Sequence, residues 1–523
     1  MALASLAGLP CDVLVVILER LTADAGRSLG SWKESLPLLA VCRRWRAYVL
    51  HRVYRTAIFG DGPGIDATYL TGKVGEDMTR AKNARSNMPL IVSARMQHLV
   101  KSVVISLIPV SHSFVTVEDI RRVLDTHPRS WPSATSLYVS FPLADSSYAL
   151  DELYPAVGIQ VAAAAAAADT ARALAAALPG VRTLGVTETL DNGVLNAFLQ
   201  VLGRELLGRL RVLNWRTHAQ LGDAGTADII GSLESCDLYN VSVEGGLPRL
   251  RPESLKTLEL HSFRNGFSWR CFQTSGTGRR IVFSSLERLH LSGQRHGVQS
   301  EAILRPPPPP GELCQPEFPR LRNLKVDVAS PTAEAFRPFA SSPLTSVSFE
   351  GSPGDALKMQ ALGFDRLDQI IIDTTVTVLD SIDAFYRDST ELFGLLEHVK
   401  RPMFILCLDM RRLDPAKVYW PHIIHLTIAS CTVDDLGLNL VAKAPDVASL
   451  LIQEYQVGEG MTAAAAAAYF ADLEQRYPGP SPSKVVAVEL MVAKMCPDNY
   501  AALAERLFRR HFPRLTSFRF RRC

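Results

Sequence analysis

The sequence predicts an α/β protein: a small helical module at the N-terminus, followed by a solenoid of short parallel strands and helices. Three observations carry this expectation. A short apolar template recurs along most of the chain. A proline stands just ahead of that template far more often than chance would place it. The first fifty residues carry apolar side chains at helical spacing instead.

The N-terminal module is expected over residues 1–55. Leu14, Ile17, Leu18 and Leu21 recur at three- and four-residue steps, the period of an amphipathic helix. Pro10 suits the first helical turn, where its missing N–H costs nothing. Asp12 places negative charge at the positive end of the helix dipole. A second helix is predicted from about Leu36 to Leu50, with Leu38, Leu39, Val41, Cys42, Trp45 and Val49 on its apolar side and Arg43, Arg44 and Arg46 on a basic face. So few helices bury little surface by themselves, so their stripes need a further partner. That partner is either another protein or the rest of this chain, on which the helices would dock as a cap.

Residues 56–95 read as a linker or irregular cap, with Asp61-Gly62-Pro63-Gly64 and the polar stretch from Thr71 to Asn87 as loop. From residue 96 to 523 the template recurs: apolar, two spacers, apolar, spacer, apolar. Leu255-Lys256-Thr257-Leu258-Glu259-Leu260 is one copy, and Leu286-Glu287-Arg288-Leu289-His290-Leu291 is another. Fifteen copies are centred on Val103, Leu137, Leu184, Leu213, Val241, Leu258, Leu289, Leu324, Val347, Ile370, Leu406, Leu426, Leu450, Val488 and Phe518. The template alone is cheap, since roughly a tenth of windows in so apolar a chain match it. Proline separates signal from chance. In ten copies a proline lies within three residues before the first apolar position, where about two or three are expected.

Each copy reads as a short strand that sends two side chains to the core and one spacer outward. The proline stops the preceding segment from running on as helix. Between strands, Asp169–Leu178, Leu190–Leu206, Asp434–Ala442, Thr462–Arg476 and Asp498–Phe512 carry apolar residues at helical steps. The alanine tracts Ala162–Ala168 and Ala463–Ala468 belong to such helices. Pro306–Pro310 reads as an exposed polyproline II loop inside an insertion at about 296–318, either a spacer or a ligand for a proline-binding domain.

Two resemblances follow from these residues. Leu9-Pro10, Leu14, Ile17, Leu21 and then Val41-Cys42-Arg43-Arg44-Trp45 resemble an F-box, over roughly residues 8–50. The spacer Thr22–Ser35 is longer than in most F-boxes. The strand–helix repeat resembles a divergent leucine-rich-repeat solenoid: Leu406 to Leu426 is 20 residues, Val347 to Ile370 is 23 and Leu426 to Leu450 is 24, although Leu137 to Leu184 is 47 and Val241 to Leu258 only 17. Together they imply a substrate-recognition subunit of an SCF-type (cullin–RING) ubiquitin ligase. Leu9, Pro10, Leu14, Ile17, Leu21, Val41, Cys42 and Trp45 would then serve the grip on a Skp-type adaptor, and through it a cullin scaffold. The strand spacers Tyr138, Asn214, Glu259, His290, Lys325, Thr427, Glu489 and Arg519 would face an unknown target protein. Val104, Ile371, Cys407 and Leu451 stand at equivalent positions but are apolar, which marks either contact patches or misplaced registers. A non-catalytic repeat scaffold without ligase role is the alternative reading.

Composition limits the other classes. Of 523 residues 47% are hydrophobic and 21% charged, as in a folded protein, and the net charge of +3 is too small to suggest nucleic acid as a partner of the whole surface. Nine cysteines (Cys11, Cys42, Cys236, Cys271, Cys314, Cys407, Cys431, Cys496 and Cys523) form no C-x-x-C pair, which suggests reduced thiols in the cytoplasm or nucleus and no zinc site. Neither a signal peptide nor a membrane span is expected.

No catalytic residue and no cofactor is predicted. Gly72-Lys73 is followed by Val74 rather than the hydroxyl a phosphate loop needs. His422 and His425, three apart at a strand entry, would point to opposite faces and are not expected to bind metal. The basic tail (Arg506, Arg509, Arg510, Arg514, Arg519, Arg521 and Arg522) could contact nucleic acid or form the polar outer face of a last repeat.

Overall fold

Two apolar residues separated by one spacer occupy the same face of an extended chain. In the computed structural model of the protein this rule builds strand after strand. The structure describes residues 54–59, 91, 95–106, 121, 131–141, 157–188, 193–216, 233–238, 253–261, 282–292, 316–327, 333–373, 382–395, 399, 401–405, 425–429, 446–454, 461–481, 483–492 and 496–522. The helices expected between Leu9 and Leu50, the helix at Asp434–Ala442 and the polyproline run lie outside these residues. The chain divides into two compact units, Met1–Asn240 with Pro248–Leu255, and Val241–Leu247 with Lys256–Cys523.

In the first unit six strands pair in parallel and in chain order: β1 (Thr56–Phe59), β2 (Ser102–Ser106), β3 (Ser136–Phe141), β4 (Thr183–Glu188), β5 (Val212–Arg216) and β6 (Ser235–Leu238). Ala57, Val103, Leu137, Leu184, Leu213 and Cys236 stand side by side across the sheet and are buried. Helices α1 (Val157–Ala177) and α2 (Gly193–Leu207) pack together between strands, burying Ala171 and Leu174 from one and Phe198, Leu199 and Leu202 from the other. The alanine tract lies inside α1, as its helix propensity requires.

In the second unit ten strands do the same: β7 (Thr257–His261), β8 (Arg288–Ser292), β9 (Asn323–Asp327), β10 (Ser346–Glu350), β11 (Gln369–Asp373), β12 (Arg401–Ile405), β13 (His425–Ala429), β14 (Ser449–Glu454), β15 (Ala487–Val492) and β16 (Ser517–Arg522). A short helix α3 (Pro353–Leu357), capped by the Ser352 hydroxyl on the Asp355 N–H, packs against α4 (Ile382–Leu395). Their approach is close: a Cβ on Gly354 would stand 2.7 Å from Asp388 Oδ2. Further on, α5 (Ala463–Arg476) starts on Thr462, whose hydroxyl accepts from the Ala465 N–H, and packs against α6 (Tyr500–His511), with Phe470 edge-on to Tyr500 at 4.9 Å. Between β9 and β10 the return is the 3-10 helix Ala333–Phe339, and between β10 and β11 the 3-10 turn Lys358–Leu362 follows directly on α3. Among the described residues no helix is long and apolar enough to cross a membrane.

One junction recurs in both units. A turn opens three residues before the first apolar position and closes on it, and prolines fill its second place. The amides of Val181, Leu321 and Leu515 donate to the carbonyls of Leu178, Phe318 and Phe512, around Pro179, Pro319 and Pro513. Proline's fixed φ suits that place, which adds a reason for the proline excess. Just before each strand, one carbonyl then accepts two amides from the next repeat. Lys101 O takes Thr135 and Ser136, Arg322 O takes Thr345 and Ser346, and Val486 O takes Thr516 and Ser517. The hydroxyls of Thr135, Thr345 and Thr516 lean on the same carbonyls.

Four expectations need correcting. Residues 56–95 are not wholly linker, because Thr56–Phe59 is the first strand and pairs with Ser102–Ile105. The strand placed on Val241 is Ser235–Leu238, with Cys236 beside Leu213. In place of the strand centred on Leu406 stands Arg401–Ile405, with Pro402 beside Ile370; pairing to β13 starts at Met403, after the residue that has no N–H to give. The insertion expected to reach residue 318 ends sooner, because Glu317 bridges Val282 and Phe318 is buried in the core. Helix α4, with Phe385, Ser389 and Leu392 buried at helical steps, escaped the sequence reading.

Helix α6 carries a pH-sensitive group. His511 is buried beside the rings of Tyr477 and Phe512, and burial lowers its pKa despite a hydrogen bond with the Gly479 backbone. The unfolded imidazole takes its proton near pH 6.5, and the folded one takes it only at lower pH. Stability is therefore expected to fall as pH drops through that value and to level off below the folded pKa. Urea midpoints at about pH 7.5 and about pH 5 should differ less in His511→Phe than in the parent chain. An identical difference in both would show that His511 contributes nothing.

Candidate site on the spacer face

Alternation decides which side chains meet on the face opposite the core. Residues two apart on one strand share that face, and register brings in their neighbours. In the second unit the spacers run Glu259, His290, Lys325, Ser348, Ile371, Met403, Thr427, Leu451, Glu489 and Arg519 across ten strands. The structure thus brings six of the eight expected surface positions into one row. Ile371 and Leu451 are true apolar members of it. Cys407 lies outside the described residues; in register, Met403 stands beside Ile371.

The remaining two positions lie in the first unit, where the spacer face is closed. Tyr138 and Asn214 are buried, as are Val104, Arg216 and Asp237. The Tyr138 ring lies across Gly185 on the next strand, where a Cβ would stand 2.6 Å from the ring. Arg216 donates through Nε (3.3 Å) and Nη2 (3.0 Å) to Asp237 Oδ2, an ion pair removed from water. These residues form a second core and not an open surface.

The densest polar group lies where β7, β8 and β9 meet. Glu259 and His261 share one strand and one face; His290 stands beside Glu259, and Lys325 and Asp327 follow on β9. Glu259 Oε2 is 3.6 Å from His261 Nε2 and 3.6 Å from His290 Nδ1. The other nitrogen of His290, Nε2, is 2.7 Å from Asp327 Oδ2, and Lys325 Nζ donates to the same oxygen at 2.9 Å. The two imidazoles meet edge to face at 4.6 Å.

Charge follows from this geometry. The neighbouring imidazoles of His261 and His290 hold the Glu259 carboxyl well below the usual carboxylate range, against the opposing effect of burial. Burial resists a proton on His290, yet the bonds to Asp327 and Glu259 outweigh it and raise its pKa. Burial likewise pushes Asp327 upward, and His290 with Lys325 outweighs it and lowers its pKa. With His290 protonated, its cation and the Lys325 ammonium stand against the Glu259 and Asp327 carboxylates.

The Glu259, His261 and His290 ligand atoms all lie within 4.8 Å of one another, so these three could hold a metal ion, against the expectation of no metal site. His261 and Asp327 were missed in sequence. A signal was present: each lies two residues beyond a spacer already singled out, so alternation puts it on the same face.

At the far end of the row Arg519 is exposed while Glu489 pairs with Arg521 at 2.8 Å. Arg506 and Arg510 share Glu474, Arg509 takes Glu505 and Arg522 takes Asp498. Most of the basic tail is thus neutralised locally, which weakens the nucleic-acid reading. The adaptor-binding candidates Leu9, Pro10, Leu14, Ile17, Leu21, Val41, Cys42 and Trp45 lie outside the described residues. No protein-family model matches the chain, and comparison with curated proteins finds no match.

Proposed function

We propose that this protein is a target-binding subunit of an SCF-type ubiquitin ligase, working in the cytoplasm or nucleus. The observation that carries the proposal is the conjunction of an F-box-like stretch, Leu9-Pro10 to Val41-Cys42-Arg43-Arg44-Trp45, with a parallel-strand repeat of the leucine-rich kind behind it. The stretch would hold a Skp-type adaptor. The row from Glu259 to Arg519 would hold the target, its polar ends setting orientation and Ile371 and Leu451 supplying apolar contact. Catalysis would sit on partner subunits, with this chain contributing proximity.

Binding of the full chain to a purified Skp-type adaptor tests the reading. A one-to-one complex is expected on size exclusion, lost in the double variant Leu14→Asp/Trp45→Ala while the circular dichroism of the strands is kept. No complex with the parent chain, or an undiminished one with the variant, refutes the ligase role and leaves a repeat scaffold.

A further inference from the structure

The three side chains on β7 and β8 are arranged like ligands around a common point. A tetrahedral zinc ion with bonds of about 2.0–2.1 Å holds its ligand atoms about 3.3–3.4 Å apart. Glu259 Oε2 lies 3.6 Å from a nitrogen of each histidine, and no separation within the set exceeds 4.8 Å. Small rotations of the side chains would close the longest distance. Backbone pairing fixes the strands beneath them: Glu259 is in register with His290, and His261 with Ser292.

A second observation is independent of that triangle. His290 turns Nδ1 toward Glu259 while its Nε2 meets Asp327 at 2.7 Å. Histidines that bind metal commonly donate their other ring N–H to a carboxylate, which fixes the tautomer and the ring orientation. Asp327 occupies that outer place, nearly buried, and Lys325 braces it at 2.9 Å and offsets its charge. Asp327 is therefore held back from the ion and acts as a positioning residue.

We propose that Glu259, His261 and His290 form a zinc site on the spacer face of the second unit. Two imidazoles and one carboxylate suit zinc and its neighbours in the transition series better than magnesium or calcium, which prefer all-oxygen shells. Binding would exchange the proton on His290 Nδ1 for the metal and leave the Nε2–H on Asp327. Three protein ligands leave a fourth position open. It would take water or a histidine, cysteine or carboxylate of a protein docked on this face. The site does not depend on the N-terminal stretch or its adaptor.

The test is zinc stoichiometry of the full chain by equilibrium dialysis and titration calorimetry. The chain has twelve histidines and nine cysteines, so the informative quantity is the difference between variants. The parent chain is expected to bind one zinc ion more than Glu259→Gln/His261→Ala/His290→Ala. Asp327→Asn should keep the ion with roughly 10- to 100-fold weaker affinity. Equal stoichiometry and affinity in parent and triple variant overturn the proposal. Should the triple variant not fold, zinc absorption spectroscopy of the singly loaded parent decides. A shell of nitrogen and oxygen with imidazole scattering supports the site, and sulfur at about 2.3 Å refutes it.

Discussion

Arg216→Ala is expected to destabilise the first unit by about 3–5 kcal/mol, because it leaves the Asp237 carboxylate buried without its countercharge. The pair spans β5 and β6 on a spacer face closed to water, and both residues are nearly buried. Burying two charges is costly, and their attraction roughly repays that cost only while both are present. The double variant Arg216→Met/Asp237→Leu should therefore lie within about 1–2 kcal/mol of the parent chain, far above either single variant. Urea denaturation followed by tryptophan emission would read this, with Trp215 beside the pair. If Arg216→Ala and the double variant are equally unstable, packing and not charge holds the two strands together.

Phe318→Ala should cost the second unit about 3–5 kcal/mol. Phe318 is 1% exposed and lies between Phe283 at 5.4 Å and Phe339 at 5.3 Å, so its ring joins three successive repeats. Truncation opens a cavity that neither neighbour can fill, since both are held by their own turns. Phe318→Leu keeps most of the volume and should cost about 1.5 kcal/mol or less. Hydrogen exchange is the suitable measurement: amides of β8 to β10 should exchange roughly a hundredfold faster or more in the alanine variant, before those of β14 to β16 change. Uniform acceleration along the unit would mean that its repeats unfold together.

Much of this architecture could be read from alternation and proline, and the exceptions are specific. Val241 and Cys236 sit in overlapping copies of the template that share Leu238, and nothing local chooses between them. The choice is made by Arg211 O, which takes the amides of Glu234 and Ser235 and puts Cys236 beside Leu213. Pro402 reads in sequence as the stop ahead of the copy centred on Leu406, because a proline within a strand is a poor guess, although Val399, Pro402 and Phe404 keep the spacing. Ala57 is a small central residue ahead of residue 96, from which the template recurs.

The site was half legible. Glu259, His290 and Lys325 followed from the spacer rule. His261 and Asp327 stand beyond the template's last apolar residue, where apolar pattern carries no information. That the first unit's spacer face is closed could not be read from alternation, because a spacer's exposure depends on what covers it.

The shared carbonyl ahead of each strand has a consequence for how such a chain can grow. It sets register by local bonds, so the intervening length need not be fixed. Leu289 and Leu324 are 35 residues apart, Leu324 and Val347 only 23, and both pairs stand side by side. Doubling a connection costs only about 0.6 kcal/mol in closure entropy. Sequence can thus be added between strands at little thermodynamic cost, alanine and proline tracts included, while the face presented by the strands stays the same. Such a design lets loops diverge quickly over a slowly changing frame.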